Sequence, residues 1–179
     1  MRRRAHRPVR SATQLRGESR LEAISGRVIR LAAILGGERQ EAKRSVGMSD
    51  RLCTVLLYSD DPQVRDRMRL AVGTRPAADL RIEFVEASTY AECVRLVDDY
   101  EIDLMLLDGE ASPGGGIGIA RQIKDDFDEA PPTCVVIARA ADRWLAAYAE
   151  VDATLVHPLD PVTAAATVTE LLRTHAPAA

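Results

Sequence analysis

Two short apolar runs that end in acidic residues are the feature that most constrains the fold of this chain. The run Thr54–Tyr58 precedes an acidic cluster at residues 59–61, and the largely apolar run Ile102–Leu107 ends at Asp108. Runs of this kind are typical of strands buried in a parallel sheet. Ligands of open α/β sheets bind at the carboxyl ends of the strands, so the pattern predicts that Asp60 and Asp108 lie in one site.

Strand-like and helix-like segments alternate from residue 54 onward. Asp61-Pro62 and Asp160-Pro161 each predict a helix start, with an N-cap followed by proline, and Thr89 with Glu92 forms a capping box. The predicted strands cover residues 54–58, 80–85, 102–108, 133–137 and 153–156. Three predicted helices cover residues 62–72, 116–126 and 141–150, and two more begin at the caps Thr89 and Asp160. In the last helix the predicted apolar stripe consists of Val162, Ala165, Thr169 and Leu172. Five such units predict an α/β fold, a doubly wound parallel sheet of order 2-1-3-4-5 with helices on both faces.

The charge of the chain changes sign near Met48. Residues 1–47 contain 12 Lys/Arg and 4 Glu, a net charge of +8, whereas residues 48–179 contain 12 Lys/Arg and 23 Asp/Glu, a net charge of −11. The basic segment has no aromatic residue and little apolar periodicity, so we expect a disordered extension. The alternatives are that translation starts at Met48, or that the segment binds nucleic-acid phosphates. Without aromatic interleaving or a helix-turn-helix pattern, it makes no strong case for nucleic acid.

Other classes of protein are disfavoured by what the sequence lacks. Cys53, Cys93 and Cys134 are scattered, which argues against a disulfide framework or a zinc site and favours a reducing cytoplasm. No apolar stretch approaches the length of a membrane span, so direct membrane insertion is not expected. The glycines at 114–116 lack the Lys-Ser/Thr that completes a phosphate-binding loop.

The order of these elements resembles the receiver domain of bacterial response regulators over residues 52–175. The resemblance is carried by the run 104–108, by the eight-residue step from Asp108 to Gly116, and by Val156-His157-Pro158 after the fifth strand. The resemblance implies that Asp108 occupies the phosphoacceptor position.

The same resemblance implies a cation site and a special peptide bond. Asp60, Asp108 and the backbone carbonyl of Glu110 would hold Mg²⁺, a hard cation that prefers oxygen ligands. Pro158 is expected to follow a cis peptide bond, which is cheap only before proline.

Four positions depart from the pattern of the family. Ser59 replaces the first acid of the strand-1 pair, Ala138 replaces a switch hydroxyl, Thr154 replaces the switch aromatic, and His157 replaces a lysine. Histidine is largely neutral near pH 7, so the fixed cation is lost. The resemblance therefore implies weak Mg²⁺ binding and a degenerate switch.

These features predict an atypical stand-alone receiver that is not an enzyme. With only residues 174–179 after the last predicted helix, no output domain is expected, and the protein would act by contact through the face formed by helix 4, strand 5 and helix 5. The expected partner is a protein, either a histidine kinase or a larger assembly. Because the chain resembles orphan receiver-like proteins of high-GC bacteria, the respiratory NADH–quinone oxidoreductase is a candidate, with the protein cytoplasmic and peripheral to that complex. The main alternative is a phosphorelay intermediate that accepts a phosphoryl group on Asp108.

Overall fold

The computed structural model of the chain describes residues 50–176. The expectations about residues 1–47 and about a start at Met48 lie outside the described residues. No helix in the described part is long and apolar enough to cross a membrane.

The described residues form five strands and five α-helices in strict alternation. The strands are β1 (Arg51–Tyr58), β2 (Leu80–Ala87), β3 (Leu104–Asp108), β4 (Thr133–Ile137) and β5 (Ala153–Val156). The helices are α1 (Pro62–Val72), α2 (Tyr90–Asp99), α3 (Gly116–Asp126), α4 (Arg143–Tyr148) and α5 (Pro161–Thr174), with a 3₁₀ turn at Ala140–Asp142. The strands pair in parallel in the order β2-β1-β3-β4-β5, which confirms the predicted sheet.

The core lies on both sides of the three central strands. Every residue of β3 and β4 is buried, whereas the edge strand β2 alternates between buried and exposed positions. Helices α1 and α5 pack against each other. Because the connection β1 to β2 runs opposite to the later ones, right-handed crossovers place these two helices on one face and α2, α3 and α4 on the other.

The fourth and fifth helices differ from their predicted forms. The helix predicted over residues 141–150 is a 3₁₀ turn followed by only six α-helical residues, and Glu150 has a positive φ of 56° that a helix cannot accommodate. In α5, Val162 is 78% exposed, and Ala164 and Val168 are fully buried. The predicted stripe was wrong at Val162 because the buried face is set by packing against α1, which helical periodicity alone does not locate.

Strand register brings the acid-tipped ends of β1 and β3 to one level. Tyr58 pairs with Leu107, so Ser59, which follows β1, and Asp108, the last residue of β3, come side by side. The predicted N-caps Asp61 and Asp160 each accept a hydrogen bond from a backbone N–H of the following helix.

Candidate functional site

Asp108 lies in a nearly closed pocket at the carboxyl edge of the sheet. Its side chain is 4% exposed, and Ser59 beside it is fully buried. The Ser59 hydroxyl donates to Asp108 Oδ2 at 2.8 Å, and the Glu110 N–H donates to Asp108 Oδ1 at 3.0 Å. Both oxygens of the carboxylate are therefore engaged by protein donors.

Asp60 and Asp61 are adjacent in sequence but have different structural roles. Asp60 is exposed, and its Oδ1 accepts the Ser112 N–H at 3.1 Å from the loop at residues 109–115, which joins β3 to α3. Asp61 caps α1 by accepting the Gln63 N–H at 2.8 Å. The structure thus brings Asp60 and Asp108 to the same edge and gives Asp61 a structural role.

The arrangement fits Mg²⁺ poorly. A tight site needs several oxygens free to face the ion, because Mg²⁺ dehydrates reluctantly and demands near-octahedral geometry. Here both oxygens of Asp108 and one oxygen of Asp60 accept hydrogen bonds, and Ser59 supplies a neutral hydroxyl. Glu110 contacts Asp108 through its N–H, and the cation-binding role of its carbonyl remains a prediction.

The other departing positions, among the described residues, make no hydrogen bond to Asp108. Ala138 follows β4 and is exposed, and Thr154 is half-buried in β5. His157 donates its backbone N–H to the Ile137 carbonyl at 2.9 Å, and the peptide bond between His157 and Pro158 is cis.

His157 follows β5, is half-buried and lines a groove beside α1. The groove has a volume of about 310 Å³ and is lined by His157, Arg67, Leu70 and residues of the turn before α5. Neither a hydrogen bond nor an ion pair joins His157 to Asp108 within residues 50–176.

Two residues that sequence reasoning missed hold this edge together. Buried Tyr58 donates its phenol to the Gly114 carbonyl at 2.6 Å, and burial, together with nearby acidic groups, raises the pKa of that phenol. Arg65 donates to the Ser59 carbonyl and pairs with Glu86 at 2.9 Å. The available signals were an aromatic residue next to the acidic cluster and an arginine one turn into α1.

Helix α4 carries a cluster of exposed apolar side chains. Trp144 is 66% exposed, Leu145 37% and Tyr148 82%, whereas Ala146 is buried. Trp144 and Tyr148 are four residues apart and so share one face of the helix. Contiguous apolar patches on a small domain are candidates for contact surfaces.

Comparison with known proteins gives close relatives in sequence. No family model matches the chain. It is 44% identical over 120 residues to the uncharacterized response regulatory protein of Mycobacterium tuberculosis, in both strain CDC 1551 and strain H37Rv. The matched region covers 66% of this chain and 90% of each relative.

Solved structures share the fold at low sequence identity. The receiver domain of a Francisella response regulator is 15% identical with a TM-score of 0.58, covering 68% of this chain and 98% of that one. A CheY-like receiver domain protein from Methanospirillum hungatei is 17% identical with a TM-score of 0.55, covering 70% and 97%. The sequence relatives and the shared fold together place this chain in the response regulator family, as a receiver domain.

Proposed function

We propose that this receiver is a protein-binding module, without catalytic activity of its own, whose binding state does not depend on phosphorylation of Asp108. The observation that carries the proposal is the buried hydrogen bond from Ser59 to Asp108. It satisfies the unmodified carboxylate from a position where an acid of the family would repel it, and so favours the unphosphorylated form.

The groups that would recognise a phosphoryl group are also missing. Ala138 offers no hydroxyl, and His157 puts an imidazole where the family has a lysine. A modification that makes equally good contacts in two conformations shifts no population between them. Phosphorylation would therefore have little effect on the conformation of the domain.

The surface that we assign to partner binding is the exposed face of α4. Its members, Trp144, Leu145 and Tyr148, include the aromatic types that dominate the energy of protein interfaces. The partner class is a protein. A larger assembly such as the respiratory NADH–quinone oxidoreductase is the hypothesis that the resemblance to orphan receivers suggests, and a histidine kinase is the alternative.

The decisive experiment measures partner binding in both states of Asp108. The full chain is used to capture its partner from native lysate, and affinity is then measured for the wild type, for the wild type with beryllofluoride, and for Asp108→Asn. We expect the three dissociation constants to agree within about twofold. A change of about tenfold, equal to about 1.4 kcal/mol of coupling, would contradict the proposal and favour the phosphorelay alternative.

A second experiment needs no partner. The wild type is incubated with acetyl phosphate and Mg²⁺, so that an oxygen of Asp108 could attack phosphorus as acetate leaves, and its intact mass is followed. We expect little phosphorylated product. A variant carrying Ser59→Asp, Ala138→Thr and His157→Lys should acquire the phosphoryl group more readily, because these changes restore the family residues. Rapid, stoichiometric labelling of the wild type at Asp108 would count against the proposal.

A further inference from the structure

Three consecutive residues at the end of β1 each bond to Asp108 or to the loop that follows it, residues 109–115. Tyr58 donates to the Gly114 carbonyl, Ser59 donates to the Asp108 carboxylate, and Asp60 accepts the Ser112 N–H. The donor–acceptor distances are 2.6, 2.8 and 3.1 Å. The contacts fall at the start, middle and end of the loop, so they fix its whole course.

The base of this arrangement is itself held in place. The Ser59 N–H donates to the Ala87 carbonyl at 3.3 Å, and the Ser59 hydroxyl accepts the Asp61 N–H at 3.1 Å. Arg65 donates to the Ser59 carbonyl, and Glu86 of β2 pairs with Arg65. Ser59 is thus anchored to α1 and to β2 before it contacts Asp108.

The backbone of the loop is tightly packed at both of its ends. A Cβ added at Gly109 would lie 2.7 Å from the Val136 carbonyl oxygen, and one added at Gly115 would lie 2.8 Å from the Gly109 carbonyl oxygen. Real side-chain contacts of this kind are essentially never so short. Both ends of the loop therefore need glycine, and the closed course is its packed position.

We propose that Tyr58, Ser59 and Asp60 form a latch that holds the loop closed without a cation. In a site with two strand-1 acids, a bound cation offsets the repulsion between the carboxylates. Here a neutral hydroxyl and two further hydrogen bonds make the connection between the loops directly. The latch concerns the conformation of the site and does not depend on which partner the module binds.

The latch also opposes cation binding. An ion held by Asp60 and Asp108 would compete with the Ser59 hydroxyl and the Ser112 N–H for the carboxylate oxygens that these donors engage. The apparent affinity of any ligand that needs a minor conformation falls by the fraction of molecules in that conformation. Cation binding and latch closure are therefore coupled with opposite sign.

The test is residue-resolved amide hydrogen exchange of the full chain, measured by NMR in EDTA and in excess Mg²⁺. In the wild type the closed latch should keep Mg²⁺ from binding, so we expect the Ser112 and Glu110 amides to exchange at the same rates in both buffers. Asp60→Ala should speed exchange at Ser112 by about tenfold, because its acceptor is lost. The matched control is Asp61→Ala, which should affect the Gln63 amide at the start of α1 and leave Ser112 unchanged.

Tyr58→Phe tests the third bond while it keeps the buried ring and hence the fold. It should speed exchange of the Ser112, Gly114 and Gly115 amides in both buffers. The latch is excluded if Mg²⁺ slows exchange of the wild-type loop several-fold, or if Asp60→Ala leaves Ser112 unchanged. Partner affinity is a separate measurement, so failure of the latch and failure of the proposed function are distinguishable.

Discussion

The hydroxyl of Ser59 lies 2.8 Å from Asp108 Oδ2 and donates its hydrogen to that carboxylate, although 49 residues separate the two in sequence. Both side chains are buried. An acid at position 59 would instead set two negative charges against each other in a pocket of low dielectric. An acid at position 59 would need a cation to offset the repulsion, whereas the serine satisfies the Asp108 carboxylate with a hydrogen bond from the protein itself.

Removing this hydrogen bond should cost stability. Ser59→Ala leaves one oxygen of buried Asp108 without its donor, so we expect the free energy of unfolding to fall by about 1–3 kcal/mol. Urea denaturation of Ser59→Ala, Asp108→Ala and the double variant gives the coupling energy. Ser112→Ala is the control, since the contact of Ser112 with Asp60 uses its backbone N–H. Additive effects of the two single substitutions would show that the bond contributes nothing.

Restoring the family acid should restore cation binding. Ser59→Asp adds a charge beside Asp108, which should lower stability in EDTA and tighten Mg²⁺ binding, because the ion then offsets the repulsion. Titration calorimetry compares Ser59→Asp with the wild type. Ser59→Asn, of similar size and neutral, should not bind more tightly than the wild type. Equal affinity of the aspartate variant and the wild type would refute this account of the pocket.

Asp152 should make stability depend on acidic pH. Partial burial raises its pKa, but hydrogen bonds from Thr133 and Lys124 outweigh that effect and hold the pKa below its ordinary value of 3.8. A depressed folded-state pKa gives stability that is present above the unfolded-state value and is lost as pH falls through the folded-state value. The decrease in the free energy of unfolding caused by Asp152→Asn should thus be largest at neutral pH and become smaller below about pH 4. Denaturation across pH, with exposed Asp128→Asn as control, measures the difference.

The three thiols should be inert in the folded protein. Cys53, Cys93 and Cys134 are fully buried, and burial raises the pKa of Cys93 and of Cys134 to about 12. Because the thiolate is the nucleophile, alkylation by iodoacetamide in mildly alkaline buffer should be very slow. Intact-mass analysis should show full labelling only after unfolding in urea. Fast labelling of the native protein would reveal local opening of the core.

The exposed face of α4 should matter for binding and little for folding. Trp144→Ala and Tyr148→Ala remove side chains that are mostly exposed, so we expect the free energy of unfolding to change by about 0.5 kcal/mol or less. Affinity for the captured partner should fall by about tenfold or more if these residues anchor the interface. Leu70→Ala on α1, where the side chain is 80% exposed, is the control on another surface. Loss of affinity in the control alone would move the interface to α1.

The helix caps could be derived from the sequence because they depend on near neighbours. Asp61, Thr89 and Asp160 each bond an N–H two or three residues ahead, so their role follows from local pattern. The alternation of apolar runs and helices was enough to predict a parallel sheet, since right-handed crossovers leave few topologies.

Only the tertiary structure decided how the candidate site is held. The bonds from Tyr58 to Gly114 and from Ser59 to Asp108 join residues 56 and 49 positions apart, and they depend on strand register and on the path of a loop. The buried face of α5 was likewise set by packing against α1. Local sequence patterns reflect interactions between residues that are close in the chain, whereas these features depend on surfaces that come into contact only after the chain has folded.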